Sequence, residues 1–182
     1  TIEEVIAYGK KRQEEAERLS NQDEWLESKR REVKAAKETM LMHAGKLSRM
    51  RQKVSLTFAK DMQISLQDLN FLHVEFRVAL TQKESCSADG LDDAVFEIST
   101  NPGEPLKPLA NVASGGELSR IMLALKTITA KQEAIGTFIF DEIDAGISGK
   151  TAWKVSEKLG LLAKTHQIIC ITHLPQIAAM AD

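Results

Sequence analysis

Cysteine, proline and aromatic residues are all scarce in this chain. Two cysteines in 182 residues, Cys86 and Cys170, are too few for a disulfide framework and stand at no metal-ligand spacing, which favours a reducing compartment. No proline occurs before Pro102, and the first 69 residues hold glycine only at Gly9 and Gly45, so little interrupts a long helix there. Apolar runs such as Ile168 to Ile171 fall far short of the roughly 18 residues a membrane span needs, and Thr1-Ile2-Glu3-Glu4 is no signal peptide. These shortages exclude a disulfide-stapled secreted scaffold and a membrane-spanning helix, and they point to a cytoplasmic chain. With 43% hydrophobic and 27% charged residues, enough remains for one compact core plus an extended element, but not for two ordinary domains. The lack of an initiator Met and the opening in mid-helix suggest a piece of something longer.

The formal net charge of −2 conceals three blocks. Residues 1–28 carry 4 basic and 8 acidic groups, residues 29–60 carry 10 and 2, and residues 61–182 carry 10 and 16. A strongly basic stretch between two acidic ones is a candidate footprint for a polyanion, because a cation placed beside a phosphate releases condensed counterions.

Leu19, Leu26, Val33, Met40, Leu47 and Val54 recur every seven residues, the interval that keeps one stripe of a helix facing a partner in a supercoil. The spacing predicts a coiled-coil arm over residues 1–69. Its second seam position holds Gln22, Lys29, Ala36, His43, Met50 and Thr57, so tight pairing needs a matched partner. After Val54 the apolar positions shift to Phe58, Met62, Leu66 and Leu69, as for a helix leaving its coil to dock on a globular body. Asn21-Gln22-Asp23 is a candidate break in the helix. Lys46, Lys53 and Lys60 share one position flanking the seam, and Arg30, Lys37 and Arg51 share the other. Both sets suit ion pairs with acids on an antiparallel partner helix somewhat better than contact with a polyanion, whereas Lys29, Arg31, Lys34 and Arg49 are less easily explained that way.

Beyond Leu69 the period falls to two. Val74, Phe76, Val78 and Leu80 predict a half-buried strand, Ser85 to Gly90 a polar loop, and Ala94, Phe96, Ile98 and Thr100 a second strand ended by Asn101-Pro102-Gly103. Then come a helix opening at Ser114-Gly115-Gly116-Glu117 and running to about Lys131, a strand Thr137 to Asp141, a helix from about Lys150 to Lys164, a strand Gln167 to Thr172, and a short helix after Pro175. The fold class is α/β, with an antiparallel strand pair and a β-α-β core whose default is a parallel sheet.

Chemistry concentrates at three places. Phe138-Ile139-Phe140-Asp141-Glu142 is an apolar strand ending in adjacent carboxylates, and ligands of parallel sheets lie beyond the carboxyl ends of the strands. One carboxylate suits Mg²⁺, a hard cation that keeps several waters, and its neighbour can polarise a water for attack on a phosphate. A strand ending in ordinary surface acids is an equally good account of that pair alone. The following strand delivers His173 to the same edge. Ser114 to Glu117 fits a capping box, yet a cap needs no pair of glycines, whereas two residues without side chains let backbone N–H groups approach a bulky anion at the positive end of a helix. Both roles can coexist. Gly146 to Thr151 imitates the end of a phosphate-binding loop, but Gly-x-x-x-x-Gly-Lys-Ser/Thr needs glycine where Asp144 stands, so Lys150 is assigned to a helix start and no P-loop is found in the chain.

A coil, then Val112 to Ala124 around the Ser-Gly-Gly-Glu, then Ile139 to Gly149, then Ile171 to Gln176, together resemble the C-terminal lobe of an ABC-type ATPase head of the SMC-like class, in its bacterial DNA-repair branch. Ser99 to Pro105 adds to the likeness, which covers essentially the whole chain. The resemblance implies an arm at 1–69 and a head lobe at 70–182. It implies ATP and Mg²⁺ as cofactors, with Ser114, Gly115, Gly116 and Glu117 as the signature meeting the γ-phosphate held by an opposite protomer. Asp141 would hold Mg²⁺ through water, Glu142 would be the general base, and His173 the switch histidine. Asp144 through Ser148 would form the D-loop, although Ser148 stands where the commoner pattern has Asp. It further implies DNA as a partner, a homodimer through ATP-sandwiched heads, an N-terminal lobe supplying the P-loop at the far end of a returning coil, a nucleoid-associated cytoplasmic location, no membrane, and a part in recombinational repair of double-strand breaks. A transporter's nucleotide-binding subunit has no place for the long helical run, and a purely structural coiled-coil adaptor explains neither the glycine pair nor Asp141-Glu142.

Overall fold

The computed structural model describes residues 1–111 and 114–181. Val112 and Ala113, the first two residues of the stretch 112–124 that carries the resemblance, and Asp182 lie outside the described residues. By contacts the chain divides into two compact units, Thr1–Ser48 with Glu84–Leu91, and Arg49–Lys83 with Asp92–Asp182.

Helix α1 (Ile2–Asp68) passes without interruption through Asn21-Gln22-Asp23, so the expected break there does not occur. A run of good helix formers with no proline carries the backbone past three poorer ones, and pairs such as Arg12–Glu15 and Lys29–Glu32 bridge successive turns. In the first unit, Ala44 and Gly90 are buried while the heptad stripe Leu19, Leu26, Val33, Met40 and Leu47 is exposed.

In the second unit the last turns of α1 turn inward, with Met62, Leu66 and Leu69 fully buried. The helix closes on a Schellman arrangement: Asn70 takes a left-handed φ of 74°, its N–H donates to Gln67 O, and Phe71 N donates to Leu66 O. Asn tolerates that conformation better than most side chains. Buried Phe71 then seals the end.

Strands β1 (Glu75–Ser87), β2 (Gly90–Ser99) and β3 (Lys107–Pro108) follow, ordered β1-β2-β3. The polar loop expected at 85–90 is only Ala88 and Asp89, since β1 extends through Ser87 and Gly90 opens β2 at a φ of 96°. Strand β3 runs antiparallel to β2 with Ile98 opposite Lys107. Phe58 of α1 packs on Phe76 and Phe96 of β1 and β2, with centroids 6.1 and 5.6 Å away. Arg51 pairs with Asp92 at 3.3 Å, so one of the expected seam-flanking cations is satisfied within its own chain.

The remaining elements are α2 (Gly115–Thr129) continued by a 3-10 turn (Ala130–Gln132), β4 (Thr137–Phe140), α3 (Gly149–Ala163), β5 (Gln167–Cys170) and α4 (Pro175–Ala178). Strands β4 and β5 pair in parallel with Phe140 opposite Cys170. Phe138 and Phe140 join the core with Ile121, Leu123, Val155 and Ile143, while Ile139, Ile169 and Ile171 are exposed on the other side. Lys158 of α3 ties back to α1 through Asp68 and Ser65, each at 3.1 Å.

Candidate nucleotide-handling site

Alternation along β4 sends Phe138 and Phe140 into the core, and the chain leaves the strand at Phe140, one residue earlier than expected. Asp141 and Glu142 are therefore exposed at the strand's carboxyl end. Glu142 adopts a φ of 54°, a conformation that costs a non-glycine residue free energy and needs support from its surroundings. Support comes from both sides: Glu142 N donates to Asp141 Oδ1 at 2.8 Å, and Glu142 O accepts from Ala145 N at 3.0 Å. Fully buried Ile143 anchors the loop.

Asp144 is 8% exposed and joins this loop to the one after β5. Its Oδ2 accepts from Thr172 Oγ1 and His173 N, both at 2.6 Å, and from Leu174 N at 3.2 Å. Burial by itself would raise the Asp144 carboxyl, but these donors together outweigh it and hold the group below its usual range. The His173 ring is 87% exposed, its Nδ1 4.0 Å from Asp144 Oδ1. Asp141, Glu142 and His173 thus project from adjacent loops of paired parallel strands. Asp144, expected on the D-loop, is turned inward. Ser148 is exposed at the N-cap of α3 and makes no side-chain capping bond, and Lys150 lies in that helix's first turn.

Helix α2 begins where the capping pattern places it, with Ser114 in extended conformation and its Oγ accepting from Glu117 N at 3.5 Å. The glycines have a further role that sequence did not disclose. A Cβ on Gly115 would stand 2.6 Å from Glu142 Oε2, and one on Gly116 would stand 2.6 Å from Ala145 Cβ and 2.9 Å from Glu142 O. Both glycines therefore let the loop 142–145 lie against the start of the helix. Ser119 Oγ donates to Asp141 O at 2.6 Å, and Arg120 Nη1 donates to Ala145 O at 2.7 Å and Ile143 O at 3.4 Å.

Arg120 is a residue of the candidate site that no motif in the sequence singles out. It is 7% exposed, its guanidinium lies 5.5 Å over the Phe71 ring, and its buried Nε has no hydrogen-bond partner. Desolvation pulls its pKa down, and nearby Glu117 partly offsets this. A signal was there: Gly116, Arg120, Ile121, Leu123 and Ala124 share the buried stripe of α2, so the arginine interrupts an otherwise apolar face. On the outer side a cleft of about 370 Å³ opens among Ser114, Glu117, Arg120, Asn70, Asn101 and Gly146.

Among the described residues no group of three or more His, Cys, Asp or Glu side chains is arranged to cage a metal. Asp141 does fit a hydrated Mg²⁺, which takes one or two carboxylates together with phosphate oxygens instead of a protein cage. Its carboxylate is exposed and accepts from Glu142 N, leaving room for further donors.

The fold is that of an SMC-type ATPase head lobe. The Smc head domain with an extended coiled coil bound to the C-terminal domain of ScpA, from Pyrococcus furiosus, superposes with a TM-score of 0.52 at 23% identity, over 86% of this chain and 39% of that one. The Smc head domain with a coiled coil and joint from Pyrococcus yayanosii gives the same score and identity over 86% of this chain and 30% of that one. No family model matches. In sequence the chain is similar along its full length to DNA repair protein RecN, at 36% identity in Bacillus subtilis and 42% in Treponema pallidum. Over the segment it spans, the chain matches proteins of the RecN family. That segment is about a third of those relatives' length, 34% and 33% respectively. No helix among the described residues is long and apolar enough to cross a membrane.

Proposed function

We propose that this chain supplies the signature and Walker B halves of an ATP-hydrolysing head that engages a second head during recombinational repair of broken DNA. The observation that supports it most is the assembly at one end of the paired strands β4 and β5: two exposed carboxylates, an exposed histidine, and packed against their loop the start of α2, where two glycines allow the close approach. ATP with Mg²⁺ would supply an activated phosphoryl group. Asp141 would hold the metal through water, Glu142 would orient the attacking water and take its proton, and His173 would lie near the γ-phosphate. The stretch Ser114 to Glu117 at the start of α2 would receive the phosphate presented by the opposite protomer, where the helix dipole favours negative charge, with Ser114 Oγ giving up its capping bond from Glu117 N to do so. The P-loop comes from an N-terminal lobe joined through a returning coil that packs on the Leu19 to Val54 stripe.

DNA is the partner proposed for the basic stretch. Lys29 and Arg31 are occupied by Glu32 and Glu27 on their own helix, and Arg51 by Asp92. Arg30, Lys34 and Lys37 lie on exposed helix, where they can meet phosphates or a partner coil. The location that follows is the nucleoid.

Glu142→Gln in full-length protein tests the core of the proposal. The amide keeps the shape but cannot accept the proton, so ATP binding should persist while turnover falls by about 10²-fold or more. Steady-state phosphate release near the parent's rate overturns it.

A further inference from the structure

Between α2 and the loop after β4 there are four separate meetings. Gly115 lies under the Glu142 carboxylate, Gly116 lies against Ala145 and Glu142 O, Ser119 Oγ donates to Asp141 O at 2.6 Å, and Arg120 Nη1 donates to Ala145 O at 2.7 Å. The last two are hydrogen bonds from side chains to backbone carbonyls, so they fix where the loop runs and leave the carboxylates of Asp141 and Glu142 free to act. Burying a guanidinium with its Nε unpaired is costly even where loop carbonyls, the Phe71 ring and nearby Glu117 offset part of it, and a well-packed apolar residue would serve stability as well. Arg120 therefore needs a reason beyond stability. Glu142, held at a φ of 54°, depends on its neighbours for its position.

We propose that Ser119 and Arg120 are positioning residues that clamp the Asp141–Ala145 loop to the first turns of α2, so that occupancy of Ser114–Glu117 sets the placement of Asp141 and Glu142 in the same protomer. The proposal rests on the nucleotide assignment above. In an engaged pair of heads the signature of one protomer faces its partner's nucleotide while Asp141 and Glu142 face its own. The clamp is then the shortest mechanical link between the two. A displacement of the carboxylates by even an ångström takes the water out of line and lowers turnover without altering how nucleotide is held.

The test compares three variants of the full-length protein. Ser119→Ala removes the bond to Asp141 O, Ser119→Thr restores a hydroxyl at the same place, and Arg120→Lys keeps the charge but puts a compact ammonium in place of the planar guanidinium whose Nη1 reaches both carbonyls. For Ser119→Ala and Arg120→Lys, kcat should fall about tenfold or more, with KM for ATP and sedimentation-detected association in a non-hydrolysable analogue within about twofold of the parent. Ser119→Thr should recover most of the loss. A residue that merely stabilises the fold would shift melting without splitting kcat from association. Parent-like kcat in folded Ser119→Ala overturns the clamp, and so does a loss of association equal to the loss of kcat. If Arg120→Lys does not fold, the two Ser119 variants decide alone. Turnover indifferent to Glu142→Gln refutes the nucleotide assignment and the clamp with it, whereas turnover sensitive to Glu142→Gln but not to Ser119→Ala refutes the clamp only.

Discussion

The carboxylate of Asp144 accepts the backbone N–H of His173 at 2.6 Å, binding the loop after one strand to the loop after its parallel neighbour. With Thr172 and Leu174 also donating to Oδ2, a single buried group fixes where the His173 ring emerges. The acid is charged in this role, and its pKa is held below the ordinary carboxylate value, so its contribution to stability is present above that value and is lost as pH falls through the folded-state pKa. Asp144→Asn should destabilise the protein by about 1–3 kcal/mol at neutral pH, since the amide carries an N–H₂ into a site built from donors. The difference should begin to shrink below about pH 4, where the unfolded chain takes up its proton, and vanish only at lower pH, where the folded group is protonated as well. Urea melts at several pH values check both the sign and the window, and a gap that widens in acid contradicts the assignment.

The two glycines at the start of α2 should respond differently to alanine. At Gly116 the new methyl meets Ala145 Cβ and the Glu142 carbonyl, which cannot move without shifting the loop. Gly116→Ala should cost about 1–3 kcal/mol despite alanine's better helix propensity. At Gly115 the close atom is Oε2 at the tip of a flexible, exposed carboxylate. Gly115→Ala should leave thermal stability nearly unchanged and show its effect in turnover, because Glu142 must swing aside. Equal destabilisation by the two would mean that the loop does not rest on Gly116.

Much of this architecture is legible in periodicity. The shift from Val54 to Phe58, Met62, Leu66 and Leu69 marks where α1 turns into the core, and period-two alternation finds β1, β2 and the inward phenylalanines of β4. What escapes has no local signature. Strand β3 is two residues, one of them proline, and exists because Ile98 and Glu97 offer it a register. Arg51 reads as a seam cation until Asp92, 41 positions away, is brought beside it. Ser85-Cys86-Ser87 reads as loop, yet the pairing with β2 holds it extended. At the candidate site Asp141, Glu142 and His173 are visible as strand ends, whereas the glycines' packing role depends on how α2 lies against the loop after β4, and the inward turn of Asp144 on donors from the loop after β5.

The docking of α1 on the sheet depends on three rings. Phe76 is 3% exposed and contacts Phe58 and Phe96, with centroids 6.1 and 5.7 Å distant. Phe76→Ala leaves a cavity where helix meets sheet and should cost about 3–5 kcal/mol, while Phe76→Leu, which keeps most of the volume, should cost markedly less. Denaturant midpoints at unchanged slope measure this. A small loss for alanine would show that the helix docks by other contacts.

Produced as they stand, these 182 residues should neither hold Mg-ATP tightly nor turn it over. They contain no Gly-x-x-x-x-Gly-Lys-Ser/Thr, hence neither the backbone cradle nor the lysine that retains a triphosphate. Asp141 and Glu142 carry two negative charges and cannot hold Mg-ATP unaided. Calorimetric titration should therefore detect no tight binding, and phosphate release should be at background. The exposed surface makes a second demand. Leu19, Val33 and Val54 are 52, 66 and 62% exposed along one stripe of α1, and Ile139, Ile169 and Ile171 are exposed on the uncovered side of β4 and β5. Apolar stripes and open sheet faces of this kind drive association unless something covers them. Light scattering should show self-association that rises with concentration, and co-expression with a P-loop-bearing lobe and its coil should suppress it. A stable monomer at high concentration, or micromolar affinity for Mg-ATP, would mean that the chain satisfies these surfaces and this chemistry by itself.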